Sequence, residues 1–444
     1  MIIFKARYVF PVAADFIPDG TIAVEGARIV ACGAGVPPAL CRDGVPPEMQ
    51  RAGETPAPQE VCNLGNVAII PGLVNAHAHL DFSDLPEPLG QPGIALADWI
   101  RLVIEFRRQA DGRERRPIEL GLSESLRYGT TTLGDIAQPG WPIDQVAASP
   151  LDVTVFQELI APTAERIAGA ADLARNHLLA AQTASNWRPG LSPHAPYSVH
   201  PDLLAAVVEF SAEEKVPVAM HMAESPEELR LLRHGDGPLR NLLQQIGAWD
   251  PTTPRPGKRP LDYLQFLASA HRALLIHGNG LDDEEIAFLG RNAARMSVVY
   301  CPRTHEFFRR AAYPLEKMLA AGLTVALGTD GRGSSPDLSL LNEMRCVARR
   351  HPAIGLDRVL QMGTLSGARA LGLENEVGTL EPSKRADLAI VALPDRDAAD
   401  PHELLFDPAA RVVACYCRGL TASGGGTTQS TNIPGAVSPR LLRH

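Results

Sequence analysis

The sequence has no apolar run long enough to cross a membrane, which takes about 18 or more consecutive apolar residues. Its first residues, Met-Ile-Ile-Phe-Lys-Ala-Arg, lack the charged and then apolar order of a secretion signal. No block of lysine and arginine offsets the net charge of −9, which argues against a general nucleic-acid surface. We therefore expect a cytoplasmic protein that binds neither membrane nor nucleic acid and acts on a small molecule.

Cysteine is also scarce. The seven cysteines are odd in number, scattered along the chain and without C-x-x-C spacing, so they indicate neither a disulfide framework nor a structural zinc site. Cys415 and Cys417 share one face of a strand-like segment, which packing explains. The chemistry of this chain must therefore come from other residue types.

Both ends of the chain are typical of short β-strands separated by turns such as Pro18-Asp19-Gly20. The strand-like segments lie within residues 1–30 and at 378–380, 386–391 and 411–416. We predict that residues 1–66 and 376–422 together form one small β-sandwich domain.

Two segments lack apolar periodicity. Residues 33–60 are rich in proline and glycine and predict an exposed insertion. Residues 423–444 have low apolar content, which predicts a flexible tail.

The middle of the chain, residues 67–375, alternates between apolar strand-like runs and longer helix-compatible segments. This alternation is typical of βα units around a parallel sheet. Eight βα units in about 300 residues predict an α/β fold of the TIM-type (β/α)8 barrel, with its reactive groups at the carboxyl ends of the strands. The eight runs are 67–74, 130–135, 152–159, 190–192, 216–221, 272–277, 297–301 and 324–330.

The first barrel strand leads into His77-Ala-His79. Residues i and i+2 of a strand point to the same side, so both imidazoles can reach one metal ion. In a closed barrel the first and last strands are neighbours, which places Asp330 beside this pair, and His221 ends the fifth strand across the mouth. Three imidazoles and one carboxylate suit Zn²⁺, with Fe²⁺ and Mn²⁺ as alternatives. The segment Phe156-Gln-Glu-Leu159 has no lysine to bridge a second ion, so we expect one metal.

Glu224 follows His221 by three residues. Ser225 and Glu228 resemble a capping box, so a helix should begin at Ser225 and leave Glu224 in the loop above the metal. A carboxylate there can move a proton for a water that the metal activates, although it can instead merely favour the helix N-terminus. His277 ends another strand and is expected to pair with Asp330 or hold developing charge, unless it is a core residue.

Four further residues are candidate substrate contacts. His194 lies in a Pro-rich loop after a strand, and Arg303 and His305 lie in a loop after another. Arg303 is equally suited to an ion pair. Trp99 is most simply a helix core residue, although an aromatic ring near the barrel mouth can stack on a base.

Taken together, these motifs resemble the amidohydrolase superfamily, in particular its deaminase and chlorohydrolase branch, over nearly the whole chain. The motifs in family order are Pro71-Gly-Leu-Val-Asn-Ala-His-Ala-His79, His221-Met-Ala-Glu224, His277-Gly278 and Gly328-Thr-Asp330. The resemblance implies that Glu224 is the proton shuttle, that His277 lies beside the nucleophile and that His194 contacts substrate. The metal ligands that it implies are His77, His79, His221 and Asp330.

Within this branch, residues 300–308 and 336–345 are most similar to the 6-aminodeoxyfutalosine deaminases of the alternative menaquinone pathway. Two segments depart from the family pattern. Gly331-Arg-Gly333 follows Asp330 where serine is usual, and Ala97-Asp-Trp99 replaces the Glu-x-Trp that grips ribose hydroxyls in adenosylhomocysteine deaminases. The resemblance implies hydrolytic deamination of an amino-purine nucleoside, with 6-aminodeoxyfutalosine as the expected substrate.

Three alternatives stay open. Adenosine, methylthioadenosine or adenosylhomocysteine can replace that substrate, and the same water can open an amide or displace chloride from a heterocycle. A non-catalytic scaffold of the same fold would hold no metal. A homodimer is compatible with the sequence.

Overall fold

The structure, a computed structural model, describes residues 1–35, 60–109, 115–181, 187–250 and 256–422. The predicted tail and nearly all of the predicted insertion lie outside these residues. Within the described ranges, no helix combines the length and apolar composition needed to cross a membrane.

The described part of the chain forms strands and helices in the following order. The strands are β1 Ile2–Lys5, β2 Tyr8–Val9, β3 Ile17–Pro18, β4 Gly20–Glu25, β5 Arg28–Ala34, β6 Glu60–Asn63, β7 Val67–Pro71, β8 Leu73–Ala78, β9 Thr130–Ala137, β10 Asp152–Leu159, β11 Trp187–Pro193, β12 Pro217–Met222, β13 Arg272–His277, β14 Met296–Tyr300, β15 Thr324–Leu327, β16 Leu388–Ala392, β17 Arg411–Cys417 and β18 Leu420–Thr421. The helices are α1 Leu96–Arg108, α2 Arg115–Arg127, α3 Ile143–Ala148, α4 Ile167–Ala181, α5 Pro201–Glu214, α6 Pro226–His234, α7 Pro238–Gln245, α8 Pro260–Leu267, α9 Asp283–Arg291, α10 Pro302–Phe307, α11 Leu315–Ala320, α12 Leu340–Arg350, α13 Leu356–Met362, α14 Leu365–Leu371 and α15 His402–Leu405.

Eight parallel strands, β8 to β15 in sequence order, form one sheet in which each strand is hydrogen-bonded to the next. A parallel bridge between Ala78 and Asp330 joins the first strand to the residues just after the last. The Val74 N–H of the same first strand donates to the carbonyl of Gly363, which lies between α13 and α14, at 3.0 Å. The predicted TIM-type barrel is therefore confirmed.

The predicted first strand, residues 67–74, is wrong as a single strand. It breaks at Gly72, whose N–H donates to the Asp387 carbonyl at 2.8 Å and where any Cβ would collide with the Thr131 side chain. Before the break, β7 pairs with β16 and β2 of a different sheet, and only β8 enters the barrel. The predicted domain boundary between residues 66 and 67 stays a prediction. However, β7, which follows this boundary, pairs with strands of the sandwich as far as Pro71.

Strands from both chain ends form two further sheets, as predicted. One has the order β5-β4-β1-β6 and the other β18-β17-β16-β7-β2-β3. Side chains from both sheets share one apolar core, which includes Phe4, Ile22, Ile69 and Ile390. The apolar alternation of these short strands therefore makes a β-sandwich.

The strand predicted at residues 378–380 is a loop. Gly378 has a φ of +90°, and the Leu380 N–H donates to the Pro11 carbonyl at 3.0 Å. Leu380 still packs in the sandwich core, so its apolar signal reflects burial and not sheet pairing.

Side-chain alternation in the barrel strands decides which residues face its interior. Leu274 and Ile276 of β13 pack with Ala219 of β12 in a cluster that draws on most barrel strands, which can meet only inside the barrel. Their neighbours Ala273 and Leu275 pack in the larger core shared with the helices. Because His221 follows Ala219 by two residues, it points to the interior side.

Candidate metal centre and active site

The four predicted metal ligands meet at one end of the barrel, and all are buried. His77 Nε2 lies 3.2 Å from Asp330 Oδ1, and His79 Nε2 lies 3.8 Å from the same oxygen. His79 Nε2 is also 3.2 Å from His221 Nε2. Ligand atoms bound tetrahedrally at about 2.0–2.2 Å from Zn²⁺ lie about 3.3–3.6 Å apart, so these separations suit one small ion.

His277 belongs to an overlapping group of potential ligands. Its ligand nitrogen and those of His77, His221 and Asp330 all lie within 4.8 Å of one another. However, its ring centroid is 5.8 Å from that of His77, whereas the His79 ring is 4.9 Å away. The shorter separations favour His79 as the fourth ligand and leave His277 beside the ion.

The histidines of this cluster are neutral, which leaves lone pairs for a cation. Burial lowers the pKa of His79 to about 3 and also lowers the pKa values of His77 and His221. The Nδ1 of His221 lies 3.1 Å from the His194 carbonyl, so the proton belongs on Nδ1. Its Nε2 lone pair therefore faces His79 and the other ligands, and a backbone carbonyl on the opposite ring nitrogen is what is expected of a metal-bound histidine.

Asp330 supplies the negative charge of the cluster. Burial raises the pKa of its carboxyl, but the contact with His77 and the other neighbouring histidines outweighs burial and lowers the pKa below its ordinary value, so the carboxylate is ionised. Its Oδ2 accepts hydrogen bonds from Ser334 at 2.6 Å and Thr304 at 3.2 Å. These hydroxyls turn Oδ1 towards the histidines.

Backbone strain is concentrated at this site. Ala223, His277 and Asp330 have φ values of +52°, +71° and +59°, although none is glycine. Ala223 directly follows β12, His277 ends β13, and Asp330 lies three residues after the end of β15. Such left-handed conformations cost about 1–3 kcal/mol each and persist where the surroundings hold them.

Glu224 lies in the loop between β12 and α6, where the sequence predicted it. The predicted helix start at Ser225 is confirmed because the Ser225 Oγ accepts the Glu228 N–H at 3.1 Å, but the capping box is incomplete, since the Glu228 carboxylate accepts the Ala223 and Glu224 N–H groups instead. Glu224 Oε1 lies 3.8 Å from His277 Nε2. Burial raises the pKa of Glu224 to about 7, against the opposing charge of Arg310. A carboxyl with that pKa can both accept and release a proton near neutral pH.

His194 also lies beside this cluster. Its ring centroid is 5.1 Å from that of His221, and its Nδ1 lies 2.7 Å from the Ser198 Oγ. Burial lowers the pKa of His194, so the ring is neutral. The described residues show no hydrogen-bond partner for its Nε2, which leaves that atom available to a substrate.

Arg303 is engaged in ion pairs. Its Nε lies 2.6 Å from the Glu343 carboxylate, which is fully buried, and its Nη2 lies 2.8 Å from Asp337. These bonds connect α10 to α12 and its preceding loop. The contacts of Arg303 therefore match the ion-pair alternative. The substrate contact stays a prediction, and these ion pairs do not support it.

His305 and Trp99 both pack against aromatic rings. His305 is 2% exposed and lies edge-on to Tyr300 and Tyr313. Trp99 packs against Phe308, and its indole N–H donates to the Gly333 carbonyl at 3.0 Å. The substrate contacts predicted for both residues stay predictions, and these contacts favour packing roles.

A partly buried ion-pair group at the barrel mouth is absent from the sequence-based expectations. Arg107 lies 3.0 Å from Asp81 and 3.6 Å from Glu158, which is the last residue but one of β10 and is 3% exposed. The only expectation for the segment that contains Glu158 is that it offers no lysine to bridge a second metal ion. Its position at a strand end, and that of Asp81 two residues after His79, were the available signals.

A cavity of about 350 Å³ adjoins this group and reaches the end of β9. Its lining includes Asp81, Arg107, Asp135, Phe106 and Trp141. The Asp135 carboxylate accepts the Leu80 N–H at 2.9 Å, so the cavity borders the turn that follows His79. Its volume and mixed lining suit a small organic molecule.

Comparison with known proteins agrees with this geometry. The chain is 30% identical over 424 residues to the 5-methylthioadenosine/S-adenosylhomocysteine deaminase of Moorella thermoacetica. The aligned residues cover 90% of this chain and 86% of that protein. It is 29% identical over 324 residues to the aminodeoxyfutalosine deaminase of Deinococcus radiodurans, covering 68% and 73% of the two chains. The crystal structure of Helicobacter pylori aminofutalosine deaminase in complex with methylthio-coformycin has the same fold, with a TM-score of 0.80 at 22% identity over 95% of this chain and 100% of that chain.

The chain also matches the model of a protein family, the amidohydrolase family. The match extends over residues 68–420, and so includes the whole barrel and the last strands of the sandwich. The resemblance read from the motifs is thereby confirmed. The chain belongs to the amidohydrolase family and is a hydrolase that acts on C–N bonds.

Proposed function

We propose that this protein is a metal-dependent deaminase of a 6-aminopurine nucleoside that carries a modified 5′ group. The observation that carries the proposal is the position of Glu224, whose carboxyl lies 3.8 Å from His277 Nε2 beside the converging histidines. One proton-transferring carboxyl next to a site for a single metal ion is what hydrolysis of an amidine carbon requires.

The metal would be held by His77, His79, His221 and Asp330, and Zn²⁺ suits this donor set best. When bound, the ion supplies Lewis acidity that lowers the pKa of a water molecule towards about 7.

The remaining steps belong to the side chains. Glu224 accepts a proton from the attacking water and returns it to the departing amino group, which leaves as ammonia. Burial lowers the pKa of His277, so its neutral ring can hydrogen-bond to the oxygen that develops charge. His194, whose ring lies 5.1 Å from that of His221, can bind the purine through its Nε2.

We propose 6-aminodeoxyfutalosine as the substrate. Asp98 takes the variable middle position of the Glu-x-Trp motif of adenosylhomocysteine deaminases. It is exposed and pairs with Arg101 at 2.5 Å. The neighbouring Ala97 is 1% exposed and has no polar group. The ribose contact of the adenosylhomocysteine deaminases is therefore not formed by these residues. Because both candidate substrates carry the ribose, the choice of aminodeoxyfutalosine is supported by the similarity of residues 300–308 and 336–345 to its deaminases.

The second candidate is deamination of methylthioadenosine or adenosylhomocysteine, as the name of the Moorella relative suggests. Its support is the 30% identity over 90% of this chain. The two candidates share their chemistry and differ only in the group attached to the 5′ carbon.

A substrate panel distinguishes these candidates. Protein loaded with Zn²⁺, Fe²⁺ or Mn²⁺ is assayed for ammonia release from aminodeoxyfutalosine, adenosine, methylthioadenosine and adenosylhomocysteine. We expect the highest kcat/KM with aminodeoxyfutalosine. A higher value for another nucleoside would reject our substrate, and chloride or amide turnover without purine deamination would reject the reaction.

Variants test the mechanism itself. Glu224→Gln is expected to lower kcat by roughly 10²- to 10⁴-fold, because it removes the proton acceptor. Glu213→Gln, on the exposed side of α5, is the matched control and should retain activity. Wild-type turnover by Glu224→Gln would contradict the assignment, and protein that binds no metal would favour a scaffold.

A further inference from the structure

The carboxylate of Glu228 binds the backbone on which Glu224 is mounted. Glu228 is the third residue of α6 and is 1% exposed. Its Oε1 accepts the N–H of Ala223 at 2.9 Å, and its Oε2 accepts the N–H of Glu224 at 2.8 Å. In a capping box this side chain would instead reach back to the N–H of the cap residue, here Ser225.

The segment held in this way is strained. Ala223 has a φ of +52°, a conformation that a residue with a Cβ adopts only when its surroundings hold it. Its carbonyl accepts the Gly280 N–H at 2.8 Å, and the Glu224 carbonyl accepts the Asn279 side-chain N–H at 2.9 Å. The turn is therefore fixed by Glu228 on its N–H side and by the loop after His277 on its carbonyl side.

We propose that Glu228 is a positioning residue, which sets the distance between the Glu224 carboxyl and the reacting atoms by binding two successive N–H groups of the strained turn. The inference rests on the proposed function of Glu224. The two bonds use both oxygens of the carboxyl group as acceptors, and an amide cannot replace it because its nitrogen only donates.

The chain contains a matched control. Glu285 is the third residue of α9, is 2% exposed and also accepts two backbone N–H groups, from Asp282 at 2.9 Å and Leu261 at 3.4 Å. It contacts no residue of the proposed active site among the described hydrogen bonds. Glu285→Gln therefore reproduces the structural loss without touching the turn that carries Glu224.

The test compares the metal-loaded full-length protein with Glu228→Gln, Glu228→Asp and Glu285→Gln. Tm, metal content, kcat and KM are measured for each variant, with kinetics recorded well below the lowest Tm. We expect Glu228→Gln to lower kcat roughly 10- to 100-fold, with KM and metal content close to wild type. Glu228→Asp keeps two acceptor oxygens and should recover part of kcat, whereas Glu285→Gln should lower Tm and leave kcat unchanged.

Two results would overturn the positioning role. One is a wild-type kcat for Glu228→Gln, and the other is an equal kcat loss in Glu285→Gln at a similar loss of Tm. The role of Glu224 is tested separately by Glu224→Gln. If that variant is inactive while Glu228→Gln is fully active, only the positioning role fails; if Glu224→Gln is active, the proposed function fails first.

Discussion

Asn75 of the first barrel strand and Thr329, two residues after the end of the last, are joined by two reciprocal hydrogen bonds. The Asn75 Nδ2 donates to the Thr329 Oγ1 at 2.8 Å, and the Thr329 N–H donates to the Asn75 Oδ1 at 3.2 Å. His77 follows Asn75 by two residues, and Asp330 follows Thr329 by one. The pair therefore sets the distance between a histidine and a carboxylate of the metal cluster.

Replacing Asn75 should weaken both the barrel seam and the metal site. Asn75→Ala leaves the buried Thr329 hydroxyl without its donor and removes one of the two acceptors of the Thr329 N–H, which also donates to the His77 carbonyl at 3.0 Å. This loss is expected to cost about 1–3 kcal/mol of unfolding free energy. Metal affinity should fall as well, measured by competition with a chelator. Asn241→Ala, at an exposed position of α7, is the control and should change neither quantity. Unchanged metal affinity in a destabilised Asn75→Ala protein would show that the seam does not position the ligands.

Two sets of four metal ligands are possible, one with His79 and one with His277, and they predict opposite effects of replacing these two histidines. If His79 is a ligand, His79→Ala should lose the metal on dialysis, because only three donors remain. His277→Ala should retain the metal and lose about 100-fold in kcat, since it removes only a group beside the nucleophile. Metal content per chain decides the matter, and metal loss confined to His277→Ala would reverse the assignment.

The sequence was most informative where function depends on order along a strand. His77 and His79 share a side because of the two-residue period, and the eight-strand count places them next to Asp330. Ser225 likewise identified the start of α6, and hence the loop position of Glu224. These inferences need only local periodicity and one rule about barrel closure.

The failures involve contacts between distant parts of the chain. Arg303 has partners 34 and 40 residues away, in Asp337 and Glu343, so its surface-like charge gave no sign of burial. The break at Gly72 was missed because the apolar run continues across it while the sheet partners change. The left-handed backbone of His277 also has no local sequence signal, since its cause is packing around the site.

Arg303 provides a test of structural against substrate-binding roles. Its Glu343 partner is completely buried, so Arg303→Ala leaves an unpaired buried charge and should cost about 3–5 kcal/mol of stability. We expect the order of kcat/KM among nucleosides to stay the same. A variant with normal Tm and a KM raised for one nucleoside only would instead support a substrate contact.

The barrel and the sandwich are connected through Asp152, at the start of β10. Its carboxylate pairs with Arg385, from the segment before β16, and with Arg188 of β11. Burial alone would raise the pKa of Asp152, but the two arginine charges outweigh it and hold the pKa below its ordinary value. The folded state thus binds the ionised form more strongly than the unfolded chain does.

The sign of this shift predicts a loss of stability in acid. The contribution of Asp152 is fully present above the unfolded pKa of about 3.9 and disappears as the pH falls through the lower pKa of the folded state. Asp152→Asn should therefore be less stable than wild type at pH 7, and the difference should narrow below about pH 4. Urea unfolding of metal-free protein from pH 7 to pH 3 measures this, with the exposed Asp172→Asn as control. A difference that stays constant with pH would mean that Asp152 acts through packing and not through its charge.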